Sequence, residues 1–112
     1  MAEDRLKALL AIAEAQPDEV MIWYGLANEY VKLDRWAEAG DALRRTVALN
    51  PDYTSAYQML GTALMNLEER DEARLAWTKG VEVATRTGAW KARDHMERLL
   101  ADEGEGSGLC KE

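Results

Sequence analysis

Apolar side chains recur at spacings of three and four residues along most of the chain, as on one face of an α-helix. Between Asp18 and Leu33 this apolar stripe consists of Val20, Trp23, Leu26, Ala27, Tyr30 and Val31. A second stripe, between Trp36 and Leu49, consists of Trp36, Ala39, Leu43, Val47 and Ala48. Pro51 follows, and proline disfavours helical geometry in the residue before it. The pattern predicts two helices joined by a turn at Asp34-Arg35.

The same pattern then occurs a second time. Gln16-Pro17-Asp18 returns as Asn50-Pro51-Asp52, with the two prolines 34 positions apart. At this shift several further pairs align, namely Trp23 with Tyr57, Leu26 with Leu60, Ala27 with Gly61, and Ala39 with Ala73. A fixed period of this length is typical of a helical repeat. We therefore predict a second hairpin, with helices from Thr54 to about Leu67 and from Asp71 to about Ala84.

The flanking segments are expected to cover the two ends of this short array. Residues 3–16 place Leu6, Leu9, Leu10 and Ala13 on one helical face and form a half-repeat. Repeats then occupy residues 20–53 and 54–87, and a capping helix occupies residues 88–101. In that helix Trp90 or Lys91, Met96, Leu99 and Leu100 would cover the open end. We expect one domain over residues 1–101, with about six helices.

Local signals suggest how the helices begin and how they pack. Asp18, either Asp52 or Thr54, and Thr87 are candidates to cap helix starts with side-chain oxygens. Gly61 and Gly80 lie inside helices, where glycine costs about 1 kcal/mol relative to alanine. They are expected to mark close helix contacts. Residues 102–112 are glycine-rich and acidic, and this composition predicts a disordered tail.

Two in-phase copies of one motif carry a family resemblance. The first reads Trp23-x2-Leu26-Ala27-x2-Tyr30 with Ala39 and Pro51, and the second reads Tyr57-x2-Leu60-Gly61-x2-Leu64 with Ala73 and Trp77. Both resemble the tetratricopeptide repeat (TPR), and the chain looks like the small stand-alone TPR proteins of bacteria. Thr46 and Thr85 depart from the pattern, which usually has alanine and proline there. The resemblance implies an all-α, right-handed superhelical α-solenoid.

The resemblance also implies a function, since such arrays present a concave groove lined by their first helices. The implied protein is a non-catalytic interaction module that binds a peptide or a segment of a partner protein in that groove. Carried over residue by residue, the groove positions are Met21, Tyr24, Asn28, Val31, Lys32, Ser55, Gln58, Thr62, Met65, Asn66 and Arg93. The clearest positive charge among them is Lys32.

The best-known specificity device of the family is a clamp for two carboxylates, and this chain has it only in part. Asn28 fits the clamp, but Tyr24 stands where lysine is expected and Met59 replaces the second asparagine. Arg93 is the candidate to replace one cation. No carboxylate-terminated chaperone peptide is therefore predicted as the ligand.

Composition narrows the remaining functions. The net charge of −7 argues against general binding to nucleic acid, whose affinity depends on neutralising phosphates. One cysteine, Cys110, and no signal peptide or long apolar run favour the cytoplasm and no membrane insertion. His95 is the single histidine and lacks ligand partners at metal spacing, so neither a metal, a cofactor nor catalysis is expected. Two alternatives stay open: a weakly self-associating scaffold subunit, and an enzyme subunit whose chemistry lies elsewhere.

Overall fold

Six helices make up the described part of the chain. The computed structural model describes the backbone of residues 2–110 and the side chains of residues 3–102. The helices are α1 (Ala2–Ala15), α2 (Val20–Lys32), α3 (Trp36–Leu49), α4 (Thr54–Asn66), α5 (Arg70–Thr87) and α6 (Trp90–Cys110). The predicted all-α α-solenoid is confirmed.

Each helix packs mainly against the next one along the chain. The hairpins α2–α3 and α4–α5 are the closest pairs, and α1 and α6 cover the two ends. This serial packing gives an elongated body with extents of 50 × 29 × 19 Å. Because each unit contacts only its neighbours, one face of α2 and α4 is left without a covering element.

The two hairpin turns have the same backbone geometry. Asp34 and Glu68 occupy equivalent repeat positions and have positive φ angles of 58° and 61°. The next amide donates back across each turn, from Arg35 to the Tyr30 carbonyl and from Glu69 to the Leu64 carbonyl, both at 2.9 Å. These are the bonds of a Schellman motif, which satisfies the last carbonyls of a helix.

Small residues let the helices approach closely along the core. Ala27, Ala39 and Ala73 have no solvent exposure. A methyl group at Gly61 would overlap the indole of Trp77, and one at Gly80 would overlap the side chain of Met96. The prediction that these two glycines mark close helix contacts is confirmed.

The predicted helix caps are wrong. The residue before α2 is Glu19 and the residue before α4 is Tyr53, and neither bonds a backbone amide through its side chain. Asp18, Asp52 and Thr54 therefore do not cap these helices. Thr87 lies in the last turn of α5 and donates its hydroxyl to the Val83 carbonyl at 2.9 Å.

The last two helices are longer than expected. α5 ends at Thr87 rather than near Ala84, because Gly88 supplies the left-handed backbone that ends it, with a φ of 80°. α6 continues to Cys110 rather than ending near Ala101. Extending an existing helix adds a backbone hydrogen bond per residue without a new nucleation step. Residues 102–110 thus depart from the predicted disordered tail, whereas residues 111–112 lie outside the described part.

The end helices bury less apolar surface than expected. Met96 is fully buried, but Leu10 is 40% exposed and Trp90 is 53% exposed. Each of these two side chains lies on a helix with a neighbour on one side only. None of the described helices combines the length and apolar character needed to cross a bilayer.

Candidate functional site

A groove of about 310 Å³ lies on the uncovered face of α2 and α4, and the start of α3 closes one side. Its lining residues are Tyr24, Val31, Trp36, Ser55, Gln58, Met59 and Thr62. The repeat places Tyr24 and Gln58 at equivalent positions of α2 and α4, which is why they face the same space. The groove thus brings together five of the residues expected from the sequence: Tyr24, Val31, Ser55, Gln58 and Thr62.

The other six expected residues do not line this cavity. Met21 is 60% exposed, and Lys32 and Asn66 are also exposed. Asn28 on α2 and Arg93 on α6 are half-buried. Met65 is also half-buried, and it packs against both of the two clusters of buried side chains that form the core. Their part in a binding surface therefore stays a prediction.

Three aromatic or methionine side chains at this surface were not expected there. Trp36 was expected in the stripe of α3 but lines the groove, because α3 begins beside it. Met59 follows Gln58 on α4. Its position in the incomplete clamp could have indicated from the sequence that it lies at the groove. Tyr53 lies before α4 with its ring centroid 4.8 Å from that of Tyr24 and tilted by 34°. No periodic pattern marks Tyr53, since it belongs to a loop.

The Tyr24–Tyr53 pair forms one edge of the surface. The Tyr53 hydroxyl donates a weak hydrogen bond to the Met21 sulfur at 3.7 Å. Burial raises the pKa of the Tyr53 phenol, and Tyr24 raises it further. The Tyr53 ring is thus a neutral contact surface beside Tyr24, and aromatic rings of this kind anchor protein interfaces.

Polar side chains in and around the groove divide into two groups. The Thr62 hydroxyl donates to the Gln58 carbonyl at 3.2 Å, and the Asn66 amide donates to the Thr62 carbonyl at 2.9 Å. These two side chains are satisfied within α4. The side-chain amides of Asn28 and Gln58 have no hydrogen-bond partner among the described residues. They are available to pair with the backbone of another chain.

The positive charges near the groove already have partners. Lys32 lies 3.3 Å from the carboxylate of Glu29, and Arg5 of α1 lies 3.5 Å from the same group. Arg93 contacts Asp94 at 3.1 Å and Glu97 at 3.8 Å, and its guanidinium lies 4.7 Å from the Trp90 ring centroid. Lys32, expected as the clearest positive charge of the groove, is thus one half of an ion pair.

A metal-binding cluster is not found within the described residues, where no three His, Cys, Asp or Glu side chains converge. His95 is exposed on α6. The chemistry of the described groove is therefore that of apolar contact and hydrogen bonding.

Comparison with known proteins agrees with the repeat seen in the structure. A sequence model for the tetratricopeptide repeat matches residues 20–63, which span α2, α3 and most of α4. A TPR repeat-containing protein of Pseudomonas aeruginosa is 28% identical over 83 residues, covering 74% of this chain and 79% of that protein. Over residues 20–63 the chain is similar to the tetratricopeptide-repeat family. The TPR fold is a protein–protein interaction module.

Solved TPR structures have the same arrangement of helices. The complex of the TPR2B domain of yeast Sti1 with pHsp70 aligns with a TM-score of 0.83 at 15% identity, over 94% of this chain and 84% of that one. The first TPR domain of Spaghetti (RPAP3), bound to the HSP90 peptide SRMEEVD, aligns with a TM-score of 0.71 at 24% identity, over 89% and 80% of the two chains. At these identities the likeness concerns the fold.

Proposed function

We propose that this TPR chain binds an extended segment of a partner protein in the groove between α2 and α4, and that it catalyses no reaction. The observation that carries the proposal is the open 310 Å³ groove with Tyr24, Trp36 and Met59 in its walls. Large aromatic and methionine side chains left accessible in a concave surface favour partner contact over a role in the core.

The chemistry of the groove suits a polypeptide. The side-chain amides of Asn28 and Gln58, which have no partner within the described part of the chain, each offer donors and an acceptor that match the backbone groups of an extended chain. The apolar walls match side chains that project from it. In support, the Sti1 and RPAP3 domains of the same fold hold pHsp70 and an HSP90 peptide.

Two matched threonine variants test the proposal. Thr62 and Thr85 are both exposed and both donate their hydroxyl to a carbonyl four residues earlier. Thr62 lines the groove, whereas Thr85 lies on α5 away from it. A library of random dodecamer peptides on beads is screened for peptides that bind the wild-type protein. The affinity of each retained peptide for the wild type and for both variants is then measured by fluorescence anisotropy.

We expect Thr62→Arg to weaken the retained peptides about tenfold or more, because a long charged side chain fills the groove. Thr85→Arg is expected to change the affinity by less than about twofold, since surface changes away from a binding site have little effect. Circular dichroism checks that both variants fold. If no peptide is retained, or both variants bind alike, the groove is not a peptide site.

Self-association is the second candidate, because apolar side chains also remain exposed away from the groove. Leu75 on α5 is 69% exposed and Trp90 on α6 is 53% exposed. Sedimentation of the wild type and of Leu75→Ser with Trp90→Ser distinguishes the cases. A monomer at all concentrations removes this candidate, and a dimer lost in the double variant supports it. The cytoplasmic location expected from the sequence stays a prediction.

A further inference from the structure

The walls of the groove carry no formal charge. The lining side chains of Tyr24, Val31, Ser55, Gln58 and Thr62 are all uncharged, as are those of Trp36 and Met59. Over its whole length from Thr54 to Asn66, α4 contains no acidic or basic residue. An ionised group that entered this groove would lose water without meeting an opposite charge, which is unfavourable.

Lys32 does not offset this neutrality. Its partner Glu29 is only 4% exposed, and one oxygen of that carboxylate has no hydrogen-bond partner among the described residues. If Lys32 turned toward a ligand, the buried carboxylate would keep only the contact with Arg5. A buried carboxylate with one cationic contact is less well compensated than one with two, so Glu29 favours the paired position of Lys32.

Arg93 also has carboxylate partners, and these two are exposed on its own helix. Its side chain is 32% exposed and contacts Asp94, Glu97 and the ring of Trp90. A ligand carboxylate would have to compete with these two side chains, and Arg93 is not among the residues that line the groove. The whole chain also carries a net charge of −7, which repels an acidic segment as it approaches.

The size of the groove indicates what fills it. A volume of 310 Å³ corresponds to about ten water molecules, more than a bare backbone needs and enough for a large side chain. Tyr24, Trp36 and Met59 would surround that side chain. The amides of Asn28 and Gln58 remain for the neutral peptide groups on either side.

From this geometry we infer that the partner segment is uncharged where it enters the groove. It inserts a large aliphatic or aromatic side chain, and its recognition needs neither Asp or Glu nor a terminal carboxylate. The inference rests on the proposed function, which does not by itself say what the segment contains. It separates this chain from proteins that hold an acidic peptide end.

The test uses the dodecamers selected above, restricted to those that Thr62→Arg no longer binds. We expect these peptides to be enriched in Leu, Ile, Phe, Tyr or Trp and depleted in Asp and Glu relative to the starting library. The best peptide is synthesised with a free carboxylate and as the C-terminal amide. The affinities of the two forms are expected to agree within about twofold, because the residues that line the groove include no cation to pair with the carboxylate.

Salt and a charge variant give two further readouts. Raising NaCl from about 0.1 M to 1 M, which shortens the screening length from about 10 Å to 3 Å, should not weaken binding. Gln58→Lys should weaken the best peptide and newly retain acidic peptides, because it places a cation in the groove. Thr85→Lys, which adds the same charge on α5 away from the groove, should do neither.

The outcomes distinguish a failure of the inferred uncharged segment from a failure of the groove as a peptide site. If Thr62-dependent peptides exist but are rich in Asp and Glu, or lose about tenfold in affinity on amidation, the inference is wrong and the groove function stands. If no Thr62-dependent peptide is found, the proposed function itself is wrong.

Discussion

Trp23 and Tyr57 occupy the same position in the two repeats and make the same hydrogen bond. The Trp23 indole donates to the Pro17 carbonyl at 2.8 Å, and the Tyr57 hydroxyl donates to the Pro51 carbonyl at 2.9 Å. Within each repeat, the aromatic residue and the proline that mark the 34-residue period are therefore in direct contact. The period could be predicted from the sequence, whereas the bond could not, because it depends on the path of the loop.

For Gly61, too, the sequence pattern predicts the small residue but not the side chain that it contacts. Its repeat partner Ala27 is small, so a close approach was predictable from the sequence. The neighbour that requires the small residue is Trp77, which also donates its indole N–H to the Gln58 carbonyl at 3.2 Å. That bond fixes the ring, so the indole cannot move aside without loss.

We therefore expect Gly61→Ala to destabilise the protein by about 1–3 kcal/mol through overpacking. This loss exceeds the helical advantage of alanine over glycine, which is about 1 kcal/mol or less. The free energy of unfolding in urea gives the difference.

Gly40→Ala is the matched control, since Gly40 also lies inside a helix but a methyl group there would meet nothing within 4 Å. It is expected to stabilise the protein by about 0.5–1 kcal/mol. If the two variants shift stability in the same direction, the contact with Trp77 does not decide the role of Gly61.

At the scale of the helix, boundaries set by the apolar pattern were predictable and those set by local capping were not. α3 begins at Trp36 and ends at Leu49, as the pattern predicts. Asp18 and Thr87 were chosen because their side chains can cap, but the loops place other residues before α2 and α6. Thr46 shows a further local adjustment, since its buried hydroxyl donates to the Ala42 carbonyl at 2.8 Å within α3.

The hydrogen bond from the Tyr57 hydroxyl to the Pro51 carbonyl links α4 to the loop before it. We expect Tyr57→Phe to lower the free energy of unfolding by about 1 kcal/mol at neutral pH, because a half-buried hydrogen bond is lost. Urea denaturation of the wild type and the variant at neutral pH measures this difference.

The pH dependence of that difference has a defined sign. Burial raises the pKa of the Tyr57 phenol above its ordinary value of 10.0, so the neutral phenol favours the folded state. This contribution is present below pH 10 and is lost as the pH rises through the folded-state pKa. Wild type and Tyr57→Phe should therefore converge in strongly alkaline urea titrations. A difference that widens above pH 10 would contradict the assignment.

At the scale of the molecule, the family resemblance predicted which face of the solenoid is open but only part of what lines it. Tyr24, Ser55, Gln58 and Thr62 follow from the repeat because they lie on the first helices. Trp36 and Tyr53 come from other elements, and their place depends on how α3 and the following loop pack. The contact of Lys32 with Glu29 is an i,i+3 pair within α2, whereas the contact of Arg5 with the same carboxylate depends on where α1 lies.

The most direct test of the central claim maps where a peptide touches the protein. The best dodecamer is titrated into the ¹⁵N-labelled full chain, and the amide chemical shifts are followed by NMR. We predict that the largest shifts belong to Tyr24, Val31, Ser55, Gln58 and Thr62, together with the Trp36 indole. If the groove between α2 and α4 were not the binding surface, the largest shifts would instead lie at Leu75 and Trp90, or in a second cleft, which is lined by Leu10, Trp23 and Arg45 among others.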